Sequence, residues 1–283
     1  MRFTETILRG IGQVMFQNNI YSGILFLGGI FYNSWLLGVA AVLGTIISTA
    51  AAQLLKYPKE DIQNGLYGFN GALTGIAVFC FFEVNVMTFS ALVLGAFLST
   101  PLSHFLKKLI SPFTAPFVIV TWFLIYSLLF LFKVPLLSAT ATTENHLQIS
   151  SALANSFGQV MFQENVITGI LFLLAIFINN KLMALYTLFA AVLGSLSGWV
   201  FGEYLDHINS GLMGYNAILC AIALYGKKRS DFLWITGAII LSTFLNIVLA
   251  KTGIFTLTAP FVLATWIILT LQKLKIGREK RIA

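Results

Sequence analysis

The side chains able to do chemistry in this sequence are amides and hydroxyls set in apolar surroundings, and they come in pairs. Gln13 and Gln159 each open a block reading Gln-Val-Met-Phe-Gln, which carries Val14 or Val160, then Phe16 or Phe162, then Gln17 or Gln163. Asn19 and Asn165 follow, Asn70 stands beside Phe69, and Asn216 beside Tyr215, with Leu73 and Leu219 one helical turn on. Thr114 and Thr258 each precede a proline by two residues, Pro116 and Pro260. Amides and hydroxyls donate and accept hydrogen bonds without carrying charge, so such a set can hold a small neutral polar molecule. Taken singly, each residue can equally bond a neighbouring helix or its own backbone.

Charge is scarce in the same regions. Glu164, whose counterpart is Asn18, is the one acidic residue well inside an apolar block, and no block has Asp, Lys or Arg near its centre. Charges within the membrane mark proton relays, ion pumps and voltage sensors, so passage of a neutral solute is favoured here. Nothing supports an enzyme: there is no His-Glu-x-x-His, no Gly-x-Ser-x-Gly and no pair of intramembrane carboxylates. His104, His146 and His207 fall near block ends, where solvated surface residues are expected. Cys80 and Cys220 form neither a disulfide framework nor a metal motif and read as small buried hydrophobes. No metal or other cofactor is expected.

These residues need elements to hold them, and composition says which. The chain is 58% hydrophobic and 10% charged over 283 residues, whereas soluble chains carry about 25% charged residues. Apolar runs lie near 11–32, 35–55, 65–82, 86–106, 113–132, 157–178, 182–202, 210–225, 232–250 and 254–272. Each approaches the ~20 residues that cross a bilayer core. The fold class is therefore all-α integral membrane, with about ten transmembrane helices. Each proline removes a backbone donor and pushes the residue before it out of helical angles, so a helix starts at or just after it. The Gln-Asn-Asn and Gln-Glu-Asn clusters interrupt their blocks too. Irregular backbone at membrane depth is tolerated only inside protein or against a wet cavity. Each half thus supplies two interrupted or half-length helices. The N-terminal stretch has no small-residue cleavage site after a short apolar core, so no removable signal peptide is read there.

The net charge of +7 is not a nucleic-acid signal, because of where it sits. With the N-terminus in the cytoplasm and ten alternating spans, fifteen of the 17 Lys and Arg residues fall inside, leaving Lys133 and Lys251 outside. Such a bias orients membrane proteins, so a multi-pass protein of the cell membrane with both termini cytoplasmic is expected. Membrane lipids are the expected neighbours of the basic tail, and no nucleic acid is expected as a partner.

The pairs arise from an internal duplication. Gly12 to Leu27 matches Gly158 to Leu173 at twelve of sixteen positions. Gly65 to Val78 matches Gly211 to Leu224 at seven of fourteen, and Thr114 to Trp122 matches Thr258 to Trp266 at seven of nine. The expected organisation is a single membrane domain over 1–283, with repeats at 1–133 and 151–283 and an external linker at 134–150. An odd number of spans per repeat inverts the second copy, placing a site at the interface of the halves near midplane. Gly71 with Gly75, and Gly194 with Gly198 and Gly202, are expected to be helix-packing faces. The paired aromatic residues, set beside the polar ones, suggest a narrow slot open to a flat molecule and closed to a hydrated ion.

The doubled Gly-Gln-Val-x-Phe blocks, the Gly-Leu-x-Gly-Phe/Tyr-Asn blocks and the doubled Thr-x-Pro-Phe resemble the urea transporter family over nearly the whole chain. The resemblance implies a passive urea channel, a pore in each subunit and a homotrimer, with two re-entrant or tilted pore half-helices, the first block of each half, that do not cross fully. It implies urea contacts at Gln13 and Gln159 and pore threonines at Thr114 and Thr258. It implies slot residues at Phe16, Phe69 and Leu73, with Phe162, Tyr215 and Leu219 as counterparts and Val14 and Val160 in the same lining. Where the family often carries Leu-Pro ahead of the threonine, this chain has Ile110-Ser111 and Ile254-Phe255. Some members place an acid at the leading glutamine, and this chain has glutamine in both halves. Ammonia, water or a short amide is the alternative solute.

Overall fold

The computed structural model describes residues 2–138, 146–226 and 229–282, and every regular element in them is helical. The first series is α1 (Phe3–Gly12), α2 (Ile20–Asn33), α3 (Trp35–Leu54), α4 (Lys59–Gln63), α5 (Gly68–Phe81), α6 (Val86–Lys107) and α7 (Ala115–Tyr126). A second series follows as α8 (Ile149–Gly158), α9 (Val166–Asn179), α10 (Lys181–Val200), α11 (Leu205–Asn209), α12 (Tyr215–Ala223), α13 (Arg229–Lys251) and α14 (Ala259–Ile282). Linker residues Thr140, Thr142, Thr143, Glu144 and Asn145 lie outside the described residues, as do Lys227 and Lys228.

Among the described residues four helices are long and apolar enough to cross a membrane unaided: α3, α6, α10 and the Asp231–Lys251 part of α13. Two bent pairs raise the number to six: α1 with α2, at 76°, and α8 with α9, at 73°. The runs 11–32 and 157–178 are thus broken rather than continuous. A 3₁₀ turn at Gln13–Met15 ends on Phe16 at φ 58°, and its equivalent at Gln159–Met161 ends on Phe162 at φ 60°. Left-handed phenylalanine stops the helix, and the chain restarts where Asn19 and Asn165 offer their side-chain oxygens to the first free amides of α2 and α9. Glycine is required just ahead of each break, because a Cβ at Gly12 or Gly158 would strike the carbonyl of Gln17 or Gln163.

The breaks bring α2 and α9 against each other in reciprocal contacts. Ser22 Oγ donates to the Ala175 carbonyl at 2.7 Å, and Thr168 Oγ1 to the Gly29 carbonyl at 2.9 Å. Asn179 Nδ2 donates to Gln17 Oε1 at 2.8 Å, and Asn33 Nδ2 to Gln163 Oε1 at 2.9 Å. Phe26 and Phe172 meet edge to face with centroids 5.0 Å apart. Gln17 and Gln163 are fully buried and their amides are consumed in this packing. Helices in lipid gain little from apolar contact with each other, so interhelical hydrogen bonds and close approach supply the cohesion.

The glycine faces divide on inspection. Gly71 packs on Gly44 and Ser48, Gly75 on Ala40, and Gly194 and Gly198 on Met213. Gly202 does not pack: it lies beyond the end of α10 at φ 79° with open space where a side chain would be. His104 also departs from expectation. It stacks on Tyr57 at 3.9 Å and shares a hydrogen bond of 2.9 Å with the Tyr67 hydroxyl, while His207 pairs with Glu203 at 3.0 Å. Replacing Asn33 with alanine strands the buried Gln163 oxygen, at a cost of about 1–3 kcal/mol. A lower thermal midpoint in detergent is expected, and an unchanged midpoint would show that this contact carries no stability.

Candidate functional site

Two helix starts make the centre of the molecule. Phe113 and Leu257 turn the chain sharply at φ 47° and 45°, after which α7 and α14 begin at Ala115 and Ala259 with proline second in each. A helix start leaves amide groups without partners, and in each case an asparagine from another helix answers one. The Phe117 N–H donates to Asn70 Oδ1 at 3.1 Å, and the Phe261 N–H to Asn216 Oδ1 at 3.2 Å. Asn70 and Asn216 therefore serve as caps delivered through space.

The two starts meet. Thr114 Oγ1 and Thr258 Oγ1 lie 2.6 Å apart and both residues are buried. Each of the two helices also grips the approach to the other: Trp122 Nε1 donates to the Phe255 carbonyl at 2.6 Å and Trp266 Nε1 to the Ser111 carbonyl at 2.9 Å. The accepting carbonyls, those of Ser111 and Phe255, each lie two residues ahead of the left-handed Phe113 and Leu257.

Phenylalanines within three residues of each threonine build two aromatic clusters. Phe16 meets Phe113 at 6.0 Å and Phe261 at 6.1 Å, all edge to face. Phe162 meets Phe81 at 5.7 Å and Phe117 at 6.3 Å, and Phe81 continues to Phe255 at 5.1 Å. A cavity of about 370 Å³ opens beside the first cluster, lined by Gln13, Phe16, Leu66, Phe69, Ser103 and Phe113 among others. Gln13 is nearly buried and donates from Nε2 to the Asn64 carbonyl at 2.9 Å, which orients its side-chain oxygen.

The expected site residues thus fall into groups. Gln13, Phe16 and Phe69 share one cavity, and Thr114 and Thr258 touch. Phe162 joins the second aromatic cluster, and Gln159 is half-buried. Val14, Val160, Leu73 and Leu219 are fully buried and do not line the cavity. Tyr215 does not copy Phe69, since its hydroxyl is held by the Leu257 carbonyl, Thr256 and Asn246. Glu164 is exposed in the break before α9, and its counterpart Asn18 bonds Arg9 and Asn64. Among the described residues every buried polar side chain is neutral.

A multi-pass helical membrane protein whose buried centre is polar but uncharged is built for moving solutes. Comparison with known proteins gives the family: the urea transporter family model matches residues 4–273, and the chain belongs to that family, whose members are transporters and not enzymes. It is 32% identical over 247 residues to urea transporter 1 of Rattus norvegicus, covering 80% of this chain and 64% of that protein. It is 29% identical over 301 residues to urea transporter 1 of Ovis aries, covering 96% of this chain and 77% of that protein.

Substituting Asn216 with leucine removes the cap on the Phe261 amide, at a cost of about 1–3 kcal/mol. Lower thermal stability is expected, together with faster exchange of that amide. Unaltered exchange would mean that the asparagine does not hold the helix start.

Proposed function

We propose that this protein is a passive channel for urea. The observation that carries the proposal is the meeting of Thr114 and Thr258 at the starts of α7 and α14, one from each half, with aromatic clusters built on phenylalanines within three residues of each threonine. Urea is flat and uncharged, with N–H donors along its edges and one strong acceptor. The hydroxyls of the threonine pair and the oxygens of Gln13 and Gln159 can take its N–H groups in turn, while aromatic walls keep it flat. A hydrated ion would find too few oxygens to replace its water. Cations meet a further obstacle, because the N-terminal ends of both half-helices present the positive pole of their dipoles. The relatives' names, which are those of urea transporters, favour the same solute.

In this reading about ten spans form two inverted repeats, the two bent pairs supplying tilted segments, and the pore follows the interface between repeats. The reciprocal contacts across α2 and α9 support the inversion, because a two-fold relation turns every contact into a matched pair. The chain sits in the cell membrane with both termini cytoplasmic, and three copies assemble side by side. Phe16 and Phe69 form a slot on one side of the threonines, and Phe162 forms its counterpart on the other, with Val14, Leu73, Val160 and Leu219 behind them.

Proteoliposomes test the reading by stopped-flow light scattering with urea, formamide, ammonia and water. Urea flux is expected to exceed that of empty vesicles and to be indifferent to proton and sodium gradients. Negligible urea flux beside rapid flux of another solute would transfer the assignment to that solute. Gln13→Leu and Thr258→Val are each expected to slow urea flux about tenfold, the equivalent of one hydrogen bond of about 1.4 kcal/mol. Two normally conducting variants would return these side chains to packing.

A further inference from the structure

The duplication gives the molecule two cavities in one register, and their chemistry is opposite. Gly12 aligns with Gly158, a shift of 146 residues, and the same shift carries α3 onto α10 and α4 onto α11. A cavity of about 710 Å³ lies between α1, α3 and α4, and one of about 210 Å³ between α8, α10 and α11. Phe3, Thr6, Gln53 and Ile62 in the first correspond to Ile149, Ala152, Trp199 and Ile208 in the second. The first cavity adds Lys56, Lys59 and Gln63, and no acidic residue lines it. The second is walled by aliphatic side chains, Trp199 and Ser195.

Backbone geometry shows that Lys56 is not there for the sake of the turn. At the end of α3 the Lys56 amide donates to the Gln53 carbonyl at 3.1 Å and the Tyr57 amide to that of Ala52 at 3.0 Å. At the end of α10 the Gly202 and Glu203 amides reach the Trp199 and Gly198 carbonyls, each at 3.0 Å. This closure turns one residue left-handed, Lys56 at φ 55° and Gly202 at φ 79°. Glycine adopts that conformation freely and lysine does not. The first half therefore holds a strained cation where its own repeat closes the same turn with glycine. Lys59 likewise stands where the second half has Leu205. The acids of α4, Glu60 and Asp61, do not line the cavity, and Asp61 is engaged by Lys107 at 2.7 Å.

The place of the cavity indicates its occupant. It lies at the C-terminal end of α3, a helix long enough to cross the membrane, and so at the level of the headgroups. Phe3 in its wall is exposed, and exposed Leu54 and Leu55 stand between Gln53 and Lys56 in the chain. We propose that this cavity binds the headgroup of an anionic phospholipid. The two ammonium groups meet the phosphate, Gln53 and Gln63 donate to its remaining oxygens, and the acyl chains leave along the exposed apolar residues. A free phosphate ion would use the lysines and leave that apolar surface bare.

Native mass spectrometry of the delipidated full-length protein, titrated with phosphatidylglycerol and with phosphatidylcholine, tests the site. Phosphatidylglycerol is expected to bind more tightly. Lys59→Gln, at an exposed position, is expected to weaken it about fivefold, and Lys56→Gly with Lys59→Leu, which copies the second half, about thirtyfold. Glycine suits the turn at 56, so the lipid-free thermal midpoint of that double variant is expected to equal or exceed that of the unmodified protein. Lys108→Gln with Lys273→Gln removes the same charge elsewhere and is expected to leave binding unchanged. Equal binding of the two lipids, or equal losses in the two double variants, would overturn the site in favour of a diffuse basic surface. Displacement of phosphatidylglycerol by an equal concentration of glycerol phosphate would assign the cavity to a free phosphate ester and overturn the lipid.

Discussion

A backbone amide buried at membrane depth must find a partner, and the centre of this molecule is organised around that requirement. Starting a helix in the middle of the protein exposes polar groups that water would otherwise satisfy. Asn70 and Asn216 meet the amides of Phe117 and Phe261, and the paired tryptophans tie down the approaching loops. Once these partners are in place, the two threonine hydroxyls can face each other in a setting without charge. The bent pairs join the two series of helices a second time, through the α2–α9 contacts.

The bonds at the centre also divide residues of one type into different trades. Gln13 and Gln17 lie four residues apart in the same block, yet one lines a cavity and the other is spent on Asn179 and the Met15 carbonyl. The difference comes from the 3₁₀ turn and left-handed phenylalanine between them, which swing the chain through the break. Conformational strain at Phe16 and Phe162 is thus what aims the glutamines in different directions.

Legibility in the sequence followed the range of the interactions. The helical class, the duplicated blocks and the Thr-x-Pro-Phe starts could be read because composition, repetition and proline act locally. The breaks after Gln13 and Gln159 were legible as polar interruptions, although left-handed phenylalanine has no sequence signal that would announce it. Asn70 and Asn216 read only as neutral hydrogen-bonding groups open to a solute or a neighbouring helix, since nothing nearby in the chain reveals that they cap helices 47 and 45 residues away. Trp122 and Trp266 were hidden for the opposite reason: they sit in apolar stretches, and only their partners 133 and 155 residues distant disclose the polar role. Glu164 reads as embedded because apolar residues flank its cluster on both sides, and how far the break exposes it depends on backbone geometry.

The α2–α9 contacts carry a consequence for how the chain is made. Gln17 obtains its acceptor's partner from Asn179, 162 residues later, and Asn33 meets Gln163 after 130. Synthesis proceeds at about 5–20 residues per second, so the first broken segment waits roughly ten to thirty seconds for its mate. During that interval its amides have to rest in the insertion machinery, at the lipid headgroups or against water. A chain terminated between the two halves would be left with that polar seam open.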